Sequence, residues 1–400
     1  MKYILPRVIY GNLGDLASRW GVLRALHQLG VQDVTVFRHQ EGDLPPLPFR
    51  SLDYRPFHNL RLDRPARDAL RASDIVLWAV GLDMQDDSSI ARMLYLWTAF
   101  SYYRALGLKI ICLFQGAGPI TTGMGRMLGR AVLSQVDTFI ARDPGTSALI
   151  KRLRPGTKCI LAHDAIFLPG FEDDLAALSP AEKDSLQRFF PDDDRPVIGV
   201  NLRQWFHFAS SLLPYQFSRQ KYMQRSGERM GELIDSLSSL IASLRERQAA
   251  RTLLISAYQP GVRPWEDDLP WLERVKAKFH QDAEVMLVDA PLGMPAYFSL
   301  MSRLHLMIGM RLHSSLVALR FGVPSINLSY TLKGGDILRH MGLPNSVADL
   351  GAFIDSPRAV LEQAEGMLRE PEAERGRVRA AVEKAVQVNL AALKKVLELE

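Results

Sequence analysis

The sequence predicts an α/β protein of two Rossmann-like domains that face each other across a cleft. Three observations carry this. Short apolar runs alternate with amphipathic, helix-length segments along most of the chain, which is the pattern of βαβ units. The alternation breaks between Pro169 and Pro196, where Glu172-Asp173-Asp174, Pro180, Pro191 and Asp192-Asp193-Asp194 gather, and then restarts. A chain of 400 residues with 47% hydrophobic content is too long for one ordinary core and sufficient for two. The expected division is residues 1–175, residues 190–355, and helices over 357–400 that pack back on the first domain.

The first unit opens with a strand over Tyr3 to Tyr10, a Gly11-Asn12-Leu13-Gly14-Asp15 loop, a helix from Leu16 to Leu29 and a strand from Val34 to Phe37. A glycine-bearing loop at a helix N-terminus lets backbone amides approach an anion. The alternative is a tight turn with Asp15 as a helix cap. Residues 40–70, with Pro45, Pro46, Pro48 and Pro56, are expected to be irregular. A strand over Asp74 to Val80 leads to Gly81-Leu82-Asp83, and a helix over Ser89 to Leu106 carries an aromatic stripe read as core or interface. The strand Lys109 to Phe114 opens into Gln115-Gly116-Ala117-Gly118-Pro119-Ile120, a second glycine-rich strand outlet in the same half. After a helix over Met124 to Ser134 and a strand over Asp137 to Ala141, Asp143 and Pro144 supply a cap and a first helical residue. Arg142 is then a salt-bridge partner of Asp143 or a ligand contact. The strand Lys158 to Leu161 leaves His163 and Asp164 at its end, with His163 read as a packed residue.

The second unit begins with a strand over Val197 to Asn201, then a loop from Phe206 to Gln216 and a helix over about Arg219 to Arg247. Strands follow over Thr252 to Ser256 and Glu284 to Val288, with Trp265-Glu266-Asp267-Asp268 between them as a solvated helix start. The most informative stretch comes next. A strand over Leu304 to Ile308 ends in Gly309-Met310-Arg311-Leu312-His313, a helix runs from Ser314 to Phe321, and a strand over Ser325 to Leu328 leads to Tyr330 and Lys333. Ligands of open α/β sheets bind beyond the strand C-termini. Arg311, His313 and Lys333 are therefore expected to gather as one site for a small phosphorylated acid. The tail from Pro357 to Glu400 reads as two helices separated near Pro371.

A net charge of +5 is mild. It suits anionic substrates or contact with an acidic membrane surface and does not argue for nucleic acid. Cys112 and Cys159 sit in apolar runs with no metal or disulfide spacing, so both are expected to be buried, in a reducing compartment. The N-terminus shows no signal peptide, and no apolar run reaches the roughly 20 residues a spanning helix needs. A cytoplasmic protein is expected, either soluble or peripheral at the inner membrane face, with Lys394-Lys395 in the tail as one basic candidate for that contact. The oligomeric state is left open.

Taken in order, these motifs resemble the polysaccharide pyruvyl transferase family. Asn12-Leu13-Gly14-Asp15 is similar to its N-x-G-D entry, and Phe114 to Ile120 to its G-x-G-x-G-P-[IL] segment, with Gln115 in place of the first Gly. Ala141-Arg142-Asp143 with Ser147, Gly199 to Arg203, Met310 to Ser314, Gly322-Val323-Pro324 and Tyr330 with Lys333 follow the family pattern too. The chain departs from it at Val80-Gly81-Leu82-Asp83, where the family carries a Gly-Gly-Gly-like turn.

The resemblance implies a fold like that of GT-B glycosyltransferases. It also implies transfer of pyruvate from phosphoenolpyruvate, as co-substrate, to a glycan or lipid-linked oligosaccharide acceptor, with no cofactor and no metal. Arg311 and Arg203 would then clamp the donor, Lys333 would face its phosphate, and His313 would donate a proton, with Arg311 tending to lower its pKa. Asn12, Gly14, Gly116, Gly118, Arg142 and Tyr330 would complete the substrate contacts. Two other readings stay open: a nucleotide-sugar glycosyltransferase of the same architecture, and a catalytically silent glycan-binding subunit.

Overall fold

The computed structural model describes residues 1–54, 63–87, 90–204, 215–259, 262, 266–289, 292–330 and 332–399, with the side chains of 215–228, 332 and 333 left out. Pro56, Ser89, Trp265, most of the loop read over Phe206 to Gln216 and the side chain of Lys333 therefore lie outside the described residues.

The first half runs β1 (Tyr3–Leu5), α1 (Leu13–Gln28), β2 (Val34–Arg38), β3 (Arg50–Asp53), α2 (Arg64–Arg71), β4 (Ile75–Ala79), β5 (Leu82–Met84), α3 (Ile90–Ala105), β6 (Lys109–Ala117), α4 (Gly123–Leu133), β7 (Thr138–Ala141), α5 (Pro144–Leu153) and β8 (Cys159–Leu161). Its parallel sheet has the order β3-β2-β1-β4-β6-β7-β8, with β5 added beside β6. Every residue of β4 is buried, as expected of a parallel strand covered on both faces. Strand β1 stops at Leu5, well short of Tyr10, because Pro6 offers no N–H to a ladder. The stretch expected to be irregular holds β3 and α2, the latter capped by Asp63.

Short helices α6 (Glu172–Ala176) and α7 (Pro180–Gln187) connect the halves. Then follow β9 (Val197–Asn201), α8 (Tyr215–Gln248), β10 (Arg251–Ile255), α9 (Leu269–Ala277), β11 (Val285–Val288), α10 (Met294–Ser302), β12 (Leu306–Gly309), α11 (Leu312–Arg320), β13 (Ser325–Ser329), α12 (Leu332–His340), β14 (Val347–Asp349), α13 (Leu350–Asp355), α14 (Arg358–Arg369) and α15 (Pro371–Leu397). The second parallel sheet has the order β11-β10-β9-β12-β13-β14. The fold is α/β with two Rossmann-like domains in the GT-B-like arrangement.

One apolar cluster runs continuously from α1 through Phe171 and Phe190 to α10 and α11, so the halves share a core. Phe171 and Phe298 meet edge to face, with ring centroids 5.1 Å apart. Ion pairs flank that contact: Arg24 with Asp174, and Arg320 with Glu172. Helix α14 packs on α8, whereas α15 reaches α11 and the short turn after β8. There the buried Asn389 accepts from the His163 amide (2.8 Å) and donates to the Asp164 carbonyl (2.8 Å). Cys112 is buried, but Cys159 is only half-buried, because β8 is an edge strand.

Candidate active site

The loop after β1 is pinned to the opposite domain. Asn12 pairs with Tyr258 in an antiparallel bridge, Gln259 N–H donates to the Gly11 carbonyl (2.7 Å), and Gly11 N–H donates to the Gln259 side chain (3.0 Å). The cap of α1 is Asn12, not Asp15: its side chain accepts from the Gly14 and Asp15 amides. Asp15 is thereby free to face across the domain boundary. Gly14 is a point of close approach between the two domains. A Cβ built there would stand 2.0 Å from the Cβ of His313, so only glycine fits.

His313, in the first turn of α11, lies between two carboxylates of the first domain. Its Nε2 is 3.3 Å from the buried Asp164 and its Nδ1 is 3.4 Å from the more exposed Asp15. Burial alone would lower the imidazole pKa. Asp164 and Asp15 outweigh burial and the opposing Arg142, and hold it above its usual value. This reverses the expected direction, because the charges that face His313 are acids rather than Arg311. Asp164 is itself heavily engaged. It accepts from Ser18 (2.7 Å), the Ile166 amide (3.1 Å) and Arg142 (3.0 Å). Burial pushes its carboxyl up, but His313 and Arg142 hold it well below the usual carboxylate range.

Arg142 pairs with Asp164, not with Asp143, which caps α5 through Thr146. Gly116 gives it room, since a Cβ there would meet the Arg142 Nε at 3.0 Å. Gly118, at positive φ, closes the same loop by donating to the Met84 carbonyl (2.6 Å).

Arg311 does not join this cluster. Its Nε and Nη2 each lie 2.7 Å from the fully buried Asp268, and Nη2 also donates to the Glu266 carbonyl (2.5 Å). Its backbone N–H donates to Asn201, whose side chain also donates to Asp268. The acids read as a solvated helix start thus hold a buried ion pair that ties three strand outlets together. Arg203 and Tyr330 form a separate pair, with Nη1 donating to the phenolic oxygen at 2.9 Å. Lys333 falls in the first turn of α12, and its side chain is outside the described residues. The geometry therefore brings Gly14, Asp15, Arg142, Asp164 and His313 to one point, and sets Arg311 and Arg203 in other networks.

The altered turn after β4 is packed from within. Val80 and Gly81 both take positive φ. Gln115, the residue that replaces the family's first glycine, donates to the carbonyls of Trp78 (3.2 Å) and Val80. Arg7 lies against Gly81 and pairs with the buried Asp83 at 2.5 Å. The two departures from the family pattern meet at one place. Beyond Leu13, a cavity of 210 Å³ opens between Gln40 and the outlets of β10 and β11, lined by Tyr258, Gln259 and Asp289.

Two Rossmann-like sheets, with a histidine of the second domain clasped by carboxylates of the first, define a GT-B-like two-domain protein with candidate catalytic groups at the domain boundary. The chain belongs to the polysaccharide pyruvyl transferase family, whose sequence profile matches residues 12–331. Over 84 residues it is 31% identical to the amylovoran biosynthesis protein AmsJ of Erwinia amylovora. That match takes in 21% of this chain and only 20% of the curated relative's length. Among solved structures it is similar to the UDP-GlcNAc 2-epimerase from Methanocaldococcus jannaschii, at TM-score 0.56 and 12% identity, over 92% of this chain and 93% of that one. It is also similar to Anabaena Alr3699/HepE in complex with UDP-glucose, at TM-score 0.57 and 12% identity over 100% of both chains. At such identities the likeness is one of fold alone.

Proposed function

We propose that this protein moves the pyruvyl group of phosphoenolpyruvate onto one hydroxyl, or a pair of hydroxyls as a ketal, of a sugar in an exopolysaccharide or cell-surface polysaccharide precursor. Family membership and the partial match to an amylovoran biosynthesis protein support the reaction class. The observation that carries the chemistry is His313, held between Asp164 and Asp15 with its pKa raised.

A raised pKa enlarges the share of imidazole that carries its proton, the state a general acid needs. The buried Asp164 fixes Nε2, so Nδ1 beside the more exposed Asp15 is the working edge. The proton passes from Nδ1 to the enol methylene, which becomes a methyl group. The adjacent carbon turns electrophilic, and an acceptor hydroxyl bonds to it as Asp15 takes the hydroxyl proton. The carbon–oxygen bond to phosphate then breaks, phosphate leaves with the electron pair, and a second hydroxyl closes the ketal as its proton returns to Nδ1 of His313. Arg203 and Lys333 are the cations assigned to the donor's carboxylate and phosphate.

The test is phosphate release from phosphoenolpyruvate in the presence of an envelope glycan fraction. His313→Asn is expected to lose on the order of 10²–10⁴ in rate. Activity within a few-fold of wild type would remove His313 from this role. Thermal stabilisation by UDP and none by phosphoenolpyruvate would favour the nucleotide-sugar reading instead.

A further inference from the structure

We propose that the N-terminal turns of α3 and α4 form a docking face for an anionic lipid bilayer. Among the described residues, the exposed large hydrophobic side chains concentrate on these two helices. Leu94, Tyr95 and Trp97 of α3, with Met124 and Met127 of α4, are 37% to 56% exposed. The helices pack against each other, with Gly129 close to Met93, so the five side chains belong to one region. Water-exposed apolar groups gathered in one place mark an interaction surface.

The charge on the two helices selects the partner. Neither Ile90–Ala105 nor Gly123–Leu133 contains an Asp or Glu, whereas Arg126 and Arg130 are exposed beside the apolar groups, and Arg92, also exposed, lies 3.9 Å from Asp83. The nearby Asp86 is buried, spent on capping the start of α4 through the Thr121 and Thr122 amides. A second copy of the chain, docked face to face, would set these arginines against one another. A bilayer with anionic headgroups takes both components: Leu and Met enter the acyl boundary, Trp97 and Tyr95 lie at headgroup depth, and the arginines meet phosphates.

The position matters as much as the composition. Both helices begin where β5 and β6 end, so the patch rims the sheet edge that carries Gly81, Asp83 and Gly116. A membrane held there would lie beside the crevice, whereas the tail's Lys394-Lys395 belong to α15. This inference does not depend on the donor being phosphoenolpyruvate.

The experiment is co-sedimentation of the full chain with phosphatidylcholine vesicles and with vesicles of phosphatidylcholine and phosphatidylglycerol. Wild type is expected to bind the anionic vesicles and to release them at high salt. The Trp97→Gln/Met127→Gln and Arg126→Gln/Arg130→Gln variants are each expected to bind at least ten-fold less, with unchanged circular dichroism. Failure of wild type to bind, or equal binding by both variants, would overturn the proposal. So would a concentration-dependent dimer in sedimentation velocity that the same substitutions abolish, because it assigns the face to a second copy.

Discussion

Gly14 and His313 lie back to back across the domain boundary, so close that a single methyl group on Gly14 would stand 2.0 Å from the Cβ of His313. Each sheet is stabilised by its own ladder. Gly14→Ala is therefore expected to leave the chain folded while displacing α11 from α1. Far-ultraviolet circular dichroism should match wild type, and phosphoenolpyruvate turnover should fall at least ten-fold. Full activity in this variant would show that the spacing of Asp15 and His313 is not critical.

Asp164 is the strongest of the groups that hold the pKa of His313 up. Replacing it by Asn removes the strongest interaction that raises the imidazole pKa, so that pKa falls. The active acid form then disappears at lower pH, and the alkaline limb of the kcat/KM profile is expected to move towards acid. The stability signs are opposite for the two groups. The contribution of His313 is complete below its unfolded pKa and is lost as pH rises through its raised folded value. That of Asp164 is complete above its unfolded pKa and is lost as pH falls towards its depressed one. An unmoved alkaline limb in Asp164→Asn would detach this carboxylate from the titration.

Arg311 is expected to act through stability. Truncation to Ala leaves Asp268 buried and unpaired, at a cost of about 3–5 kcal/mol. The Arg311→Met/Asp268→Leu double variant should recover much of the lost Tm, because an apolar pair replaces the ion pair. Thermal denaturation of both variants decides the point: an unchanged Tm for Arg311→Ala contradicts it.

His163 stacks on His340 of α12, with ring centroids 4.4 Å apart, and its Nδ1 is buried without a hydrogen-bond partner. Burial, His340 and then Lys384 lower its pKa to about 4. The unfolded chain therefore binds a proton that the folded chain refuses as pH falls below about 6.5. Stability should drop over that window by up to roughly 3 kcal/mol. His163→Phe keeps the stacking and removes the proton. Its Tm should fall less steeply than that of wild type between pH 6.5 and pH 4.5, and parallel slopes would refute the assignment.

The strands were legible because parallel strands covered on both faces are continuous apolar runs, as in Ile75–Ala79 and Val197–Asn201. Strand β3 and helix α2 were hidden by prolines that mark turns without excluding short elements between them. The site was legible in part. Arg311 and His313 are two residues apart, and the start of α11 sends one towards Asp268 and the other towards Asp164. Nothing local to the motif announces that split. Asp164 lies 149 positions from His313 and earned notice only as the neighbour of His163. The carboxylate of Asn12-Leu13-Gly14-Asp15 was in plain view, but its partner is supplied by the other domain.

The bond pair from Asn389 to the backbone at His163 and Asp164 bears on the order of assembly. During synthesis the first sheet leaves the ribosome long before residue 389 does, and until then the peptide groups after β8 lack the partner that seats them. Assembly of the groups around His313 thus waits for α15 to dock. A truncation before residue 389 spares every side chain around His313 yet removes the group that seats His163 and Asp164, and is expected to lower turnover.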